Sequence, residues 1–222
     1  MTRYNLLDIA RLAMTSHGLE PDFSEKVRQE IDHITKSADG AGENLPDITH
    51  LLWCSIDNDD SMDLDQITVA EKDSRGTKIL VGVSDVDAIV KIGLAIDIHA
   101  RKNTTSIYTG VKMFPMLPEK LSTNLTSLSE GDVRVAFVIE MEVSPEGEIG
   151  QSKIYRALVK NKAKLTYNSV AAWLDNKGPL PEHAALVPGM DEQLRIQKLL
   201  NTHNISLHQA LDIVSLNSGC SF

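Results

Sequence analysis

An α+β fold, with a mixed and largely antiparallel sheet flanked by helices and a two-helix appendage ahead of it, is what this 222-residue chain predicts. Three observations carry the expectation. Apolar residues recur at helical spacing towards both ends, two-residue alternation governs the middle, and the strand-like runs are joined by turns of the hairpin type. A composition of 42% apolar and 24% charged residues is that of an ordinary globular chain with enough length to bury a core.

Leu6, Leu7, Ile9, Ala10, Leu12 and Ala13 fall on helical spacing, and the pattern stops at Gly18. Asp22 or Ser24 then opens a second helical segment carrying Phe23, Val27, Ile31 and Ile34 on one face. Ser37 to Pro46 has the composition of a linker, so residues 1–46 read as helical appendage and linker and 47–222 as the main domain. From Leu51 the pattern turns to strands. Alternation at Asp65, Ile67 and Val69, then the run from Lys78 to Ser84, predicts two strands joined by a turn at Asp73 to Gly76. A helix is expected over Leu94 to Lys102, followed by a long irregular segment from Asn103 to Leu128; connections of that length are usually functional. Val133 to Val143 and Ile149 to Val159 flank Ser144-Pro145-Glu146-Gly147, which reads as a hairpin. Helical spacing returns at Thr166 to Leu174, Asp191 to Asn201 and Ser206 to Val214, and no internal repeat is present.

The most hydrophobic stretch, Ile79 to Ile96, is broken by Asp85, Asp87 and Lys91, and Met1 to Met14 lacks a signal-peptide plan. The expectation is a cytoplasmic protein with no membrane partner. Cys54 and Cys220 are too few for a disulfide framework and lack zinc spacing, so both read as free thiols. None of the seven histidines is placed as a catalytic or metal-binding group.

Twenty-two Lys and Arg against 31 Asp and Glu give a formal charge of −9, which argues against general nucleic-acid glue. Location changes that picture. Glu43 to Asp65 holds seven acids and no base, while Lys153, Arg156, Lys160, Lys162 and Lys164 form a run with no acid. The basic run either tracks a phosphate backbone or lines a half-exposed strand.

Five aspartates fall within nine residues of Ile56-Asp57-Asn58-Asp59-Asp60-Ser61-Met62-Asp63-Leu64-Asp65-Gln66. Crowded carboxylates repel and raise one another's pKa unless a cation compensates them. The segment is therefore either a solvated turn or a metal site. Six residues of extended chain span about 20 Å, so Asp57 and Asp63 share a site only if the chain between them folds back. Asp63 and Asp65, two apart at a strand start, share a face. Hard oxygen ligands suit magnesium or manganese. An EF-hand calcium loop fits poorly, because Met62 and Thr68 stand where glycine and glutamate are expected. In the long segment, Tyr108 has Arg101, Lys102, Lys112 and Lys120 near it in sequence; it either stacks on a nucleobase or pins the loop to the core.

In order, the segments SIDNDDSMDLDQ, KILVGVSDVDAIV, AIDIHARKNTTSIYTGVKMFPMLPEKLSTNLTSL, VAFVIEMEVSPEGEI and KAKLTYNSVAAWL resemble the amino-terminal half of the catalytic domain of the ribonuclease II and ribonuclease R family of 3′-to-5′ exoribonucleases. The resemblance runs from Leu51 to Asp212, and MFPMLPEKLS followed by SL is its most specific part. It implies hydrolysis of single-stranded RNA to nucleoside 5′-monophosphates. Asp57, Asp63 and Asp65 match three acidic positions that hold magnesium, with manganese as a substitute, at the scissile phosphate. Gln66 departs from the pattern: it stands where the family has a fourth carboxylate, and Asp59 or Asp60 is then the source of the missing charge. Tyr108 matches the aromatic that stacks on the 3′-terminal nucleotide, with Arg101 and Lys112 as basic substrate-binding neighbours. Family domains continue past this chain's end, which implies a truncated member, completed by self-association or by a chain supplying the carboxyl-terminal half. A non-catalytic RNA-binding or protein-interaction remnant is the alternative, favoured by Gln66.

Overall fold

The computed structural model describes residues 5–73 and 76–202. The apex of the Asp73 to Gly76 turn, the helix expected at Ser206 to Val214, and Cys220 lie outside the described residues. Two compact units are present: the chain up to Ala38 with Val86–Thr126, and Asp39–Asp85 with the chain from Ser127 onward.

The larger unit is built on a six-stranded sheet. Its strands are β1 (Cys54–Asp57), β2 (Gln66–Asp73), β3 (Gly76–Ser84), β6 (Val133–Val143), β7 (Ile149–Lys160) and β8 (Ala163–Thr166), in the order β7-β6-β3-β2-β1-β8. Every pairing is antiparallel except β1 with β8. The mixed, largely antiparallel sheet is therefore as expected, and the β6–β7 hairpin turns at Ser144 to Gly147 as predicted, with Gly147 at φ 88°. Although β7 and β8 are the ends of the order, only Asn161 and Lys162 separate them. Six flat strands would hold those ends about 24 Å apart, whereas the link reaches about 11 Å. The sheet must curl.

One sheet layer buries Trp53, Ile67, Val69, Leu80, Val138 and Val159. Glycine is needed at position 82, where a Cβ would come within 3.1 Å of Ile67 Cγ1 and 3.4 Å of Trp53 Cζ3. Helices α4 (Tyr167–Leu174), α5 (Glu182–Ala185) and α6 (Met190–Thr202) pack through Val170, Trp173, Ala184, Met190 and Leu194 onto Cys54, Ala163 and Leu165. Thr166 caps α4 by accepting from the Ser169 N–H. Burial pushes the Cys54 thiol up to about 11, consistent with the inert free thiol expected.

The basic run does not form one stripe. Lys153 pairs with Glu140 at 3.2 Å, Arg156 donates to Asp85 at 2.6 Å and to Glu43 at 2.5 Å, and Lys164 lies on β8 at the opposite end of the sheet order. Lys153, Arg156 and Lys164 thus have partners within the protein.

In the smaller unit, α1 (Leu6–Ser16) and α2 (Glu25–His33) are capped by Asn5 and Ser24. Val27 packs with Ile96, Leu121 and Leu125; α1 turns Leu7, Ala10 and Met14 inward, with Met14 buried, and leaves Leu6, Ile9 and Leu12 exposed. Helix α3 (Ala95–Asn103) receives the Glu30 carboxylate at its N-terminus, from Ala95 N–H at 2.8 Å and Ile96 N–H at 2.9 Å. The stretch expected to be irregular contains a hairpin, β4 (Ile107–Tyr108) with β5 (Met113–Phe114), and a π-helical turn at Leu121–Leu125.

Asn161 joins the parts of the larger unit. Its Nδ2 donates to Ser55 Oγ at 3.0 Å and Leu128 O at 2.9 Å, and its Oδ1 accepts from Ala163 N–H at 3.2 Å, all buried. Replacing Asn161 with Ala strands three buried polar groups. A loss of about 2–4 kcal/mol is expected in denaturant unfolding, and Asn161→Asp, which sets a buried carboxylate oxygen against the Leu128 carbonyl, should be at least as damaging.

Candidate active site

Strand β1 ends at Asp57, residues 58–65 form a loop, and β2 begins at Gln66. The strands are antiparallel, so the chain folds back as a shared site requires. The two strands pair at Cys54 and Thr68, and the charge of Asp57 reaches the Asp65 carboxyl. Because strands rather than helices flank the loop, the EF-hand reading fails.

The loop is fastened by buried groups distant in sequence. Ser127 Oγ accepts from Leu64 N–H at 3.2 Å and donates to Met62 O at 3.1 Å, while Leu128 N–H donates to Leu64 O at 2.8 Å. Leu64 and Ser127 are both buried. The Ser84 N–H meets Asp65 O at 2.9 Å, extending the β2–β3 ladder to the aspartate itself. At the other end, Ser61 Oγ donates to Asp57 Oδ1 at 3.0 Å.

Burial around the Asp65 carboxyl raises its pKa, and the charges of Asp57 and Asp63 push the same way. The Tyr167 phenol is also raised, by burial first and then by Asp57 and Asp65. Asp57, Asp63, Asp65 and Tyr167 are thus one electrostatic neighbourhood. None of the three carboxylates has an ion pair within 4.0 Å among the described residues. Asp59 and Asp60 are exposed at the loop tip and are not among the groups that shift Asp65. Gln66 turns to a cavity of about 370 Å³ that it lines with Ile56, Thr68, Tyr167, Val170 and Gln197.

Among the described residues no three His, Cys, Asp or Glu side chains are gathered tightly enough to hold an ion. The donor chemistry still fits a hard divalent cation: three carboxylates from adjoining strand ends, mutually repelling and without a cationic partner.

Tyr108, Arg101 and Lys112 belong to the other unit. Tyr108 stands on the β4–β5 hairpin opposite Met113 and is 72% exposed, so its ring does not pin the loop to a core. Lys112 lies in the hairpin turn with Nζ 5.3 Å from the Phe114 ring centre, and Arg101 is exposed in the last turn of α3.

Tyr167, Ser127, Asn161 and Lys164 were missed as site residues. Only the Ser127-Leu128 pair carried a signal, as the SL that closes the most specific motif.

A curled, largely antiparallel sheet flanked by helices, with an aspartate loop between adjacent strands, defines the class of α+β domain. The RNB domain model matches residues 46–218, and the chain belongs to that family. Among curated relatives, Ribonuclease R of Buchnera aphidicola is 29% identical over 201 residues, covering 88% of this chain and 28% of its own. Ribonuclease R of Escherichia coli is 31% identical over 193 residues, covering 86% and 24%. The chain thus spans about a quarter of the length of the curated relatives it matches. Mycoplasma genitalium RNase R in complex with double-stranded RNA superposes with a TM-score of 0.78 at 27% identity, over 89% of this chain and 34% of that one. No helix among the described residues is long and apolar enough to cross a membrane.

Asp65 binds its proton more tightly in the folded than in the unfolded chain, so its contribution to stability is greatest below the ordinary value of 3.8 and is lost as pH rises through the elevated folded pKa. At neutral pH without divalent ions, Asp65→Asn is therefore expected to raise the thermal unfolding midpoint. The gain should vanish when both proteins are melted at pH 3.

Proposed function

We propose that this chain is the acidic-site portion of a metal-dependent 3′-to-5′ exoribonuclease that hydrolyses single-stranded RNA to nucleoside 5′-monophosphates in the cytoplasm. The observation that carries the reading is the loop joining antiparallel β1 and β2, which keeps Asp57 and Asp63 within electrostatic reach of Asp65, in a chain of the RNB family.

In this reading Asp57, Asp63 and Asp65 hold magnesium, or manganese in its place. When bound, the ion supplies Lewis acidity at the scissile phosphate and offsets charge on the attacking and leaving oxygens. The protein's part is to present three oxygen donors on a braced loop. Tyr167 stays protonated and offers a hydrogen-bond donor beside them. The exposed Tyr108 ring stacks on the terminal base, with Arg101 and Lys112 attracting the RNA backbone.

Gln66 favours a second reading, a non-catalytic RNA-binding member. A neutral amide in the fourth acidic position lowers the charge available to a cation, and Asp59 and Asp60 point into solvent at the loop tip.

Incubation of the purified chain with 3′-labelled single-stranded RNA separates the readings. Magnesium-dependent release of mononucleotides, stopped by EDTA and abolished in a folded Asp65→Asn variant, is expected. Unchanged hydrolysis by that variant would sink the assignment, and RNA binding without cleavage would support the second reading. Tyr108→Ala should weaken RNA binding by about 1–3 kcal/mol in a fluorescence titration.

A further inference from the structure

We propose that Ser61 and Lys164 are positioning residues that preset Asp57 as a metal ligand through one hydrogen-bonded chain running from β8 into the acidic loop. The proposal deepens the metal-site reading and rests on it.

Of the three carboxylates, Asp57 alone is held by a side-chain donor among the described residues. Ser61 Oγ donates to its Oδ1 at 3.0 Å, and Asn58 N–H reaches the same oxygen at 3.2 Å. Both bonds fall on Oδ1. The orientation of the carboxylate is thereby set while Oδ2 keeps its lone pairs for an ion.

A serine hydroxyl orients a partner only as well as its own backbone is held. The Ser61 N–H closes a turn onto Asn58 O at 3.2 Å, and the Ser61 carbonyl accepts from Lys164 Nζ at 2.5 Å. Lys164 comes from β8, which pairs parallel with β1 so that Lys164 sits beside Ser55. Its own N–H, on the outer edge of the sheet, donates to Glu130 Oε2 at 2.6 Å, and the same oxygen meets His183 Nδ1 at 2.7 Å. The chain therefore reads Glu130, Lys164, Ser61, Asp57. By bonding a backbone carbonyl, the lysine braces the loop without forming an ion pair with any of the three carboxylates. Their charge stays available to a divalent ion, as support behind a ligand requires.

Manganese binding to the whole chain, followed by the electron paramagnetic resonance signal of the free ion, tests this. Ser61→Ala and Lys164→Met are each expected to weaken binding by about ten- to a hundredfold, with thermal unfolding essentially unchanged. Ser61→Thr keeps the hydroxyl and should bind as the parent does. Because the links act in series, the double variant should be no weaker than the weaker single one. Parental affinity in both single variants, alongside loss of binding in Asp65→Asn, would overturn the positioning role and leave the metal site standing. Fully additive losses in the double variant would overturn the single chain of action. Failure of the parent protein to bind manganese would overturn the metal reading and this proposal together.

Discussion

The charge of Asp65, buried beside the charges of Asp57 and Asp63, is the constraint on which the rest of the site depends. Nothing in the loop itself cancels it, since Asn58 to Asp65 contains four acids and no base. The restraint comes from neighbouring segments: Ser127 and Leu128 grip the backbone at Met62 and Leu64, Ser84 holds Asp65, and Lys164 holds Ser61. Backbone and hydroxyl bonds of this kind are each worth about 0.5–1.5 kcal/mol net. Several acting together can hold carboxylates close without neutralising them.

The curl of the sheet makes that bracing local. Only a curled sheet lets the two-residue link from β7 reach β8 beside β1, and that placement brings Asn161 under Ser55 and Lys164 up to the loop. Of the basic run, Arg156 and Lys164 find partners inside the larger unit. In the proposed reading, RNA stacks on the exposed Tyr108 ring of the smaller unit.

Where the signal was local, the fold could be read in advance. The β6–β7 hairpin was legible because alternation on both sides of Ser144 to Gly147 leaves one register, and α4 because Thr166 is a capping residue ahead of an apolar stripe. Four-residue elements such as β8 and α5 carry too few periods to announce themselves. In α1 the apolar residues are spread too widely to tell the buried side of Leu7, Ala10 and Met14 from the exposed side of Leu6, Ile9 and Leu12. At the site, the spacing of Asp57, Asp63 and Asp65 was visible because all three lie on one loop. Ser127, Lys164 and Asn161 were not, because they act across separations of 63, 103 and 106 residues that only the folded sheet closes.

The central proposal is that the β1–β2 loop holds a divalent cation. Anomalous diffraction from crystals grown with manganese tests it most directly. The account predicts an anomalous peak at about 2.0–2.3 Å from carboxylate oxygens of Asp57, Asp63 and Asp65, absent from Asp65→Asn crystals. A clean map at the loop with manganese bound elsewhere, or none bound at saturating concentration, would contradict it.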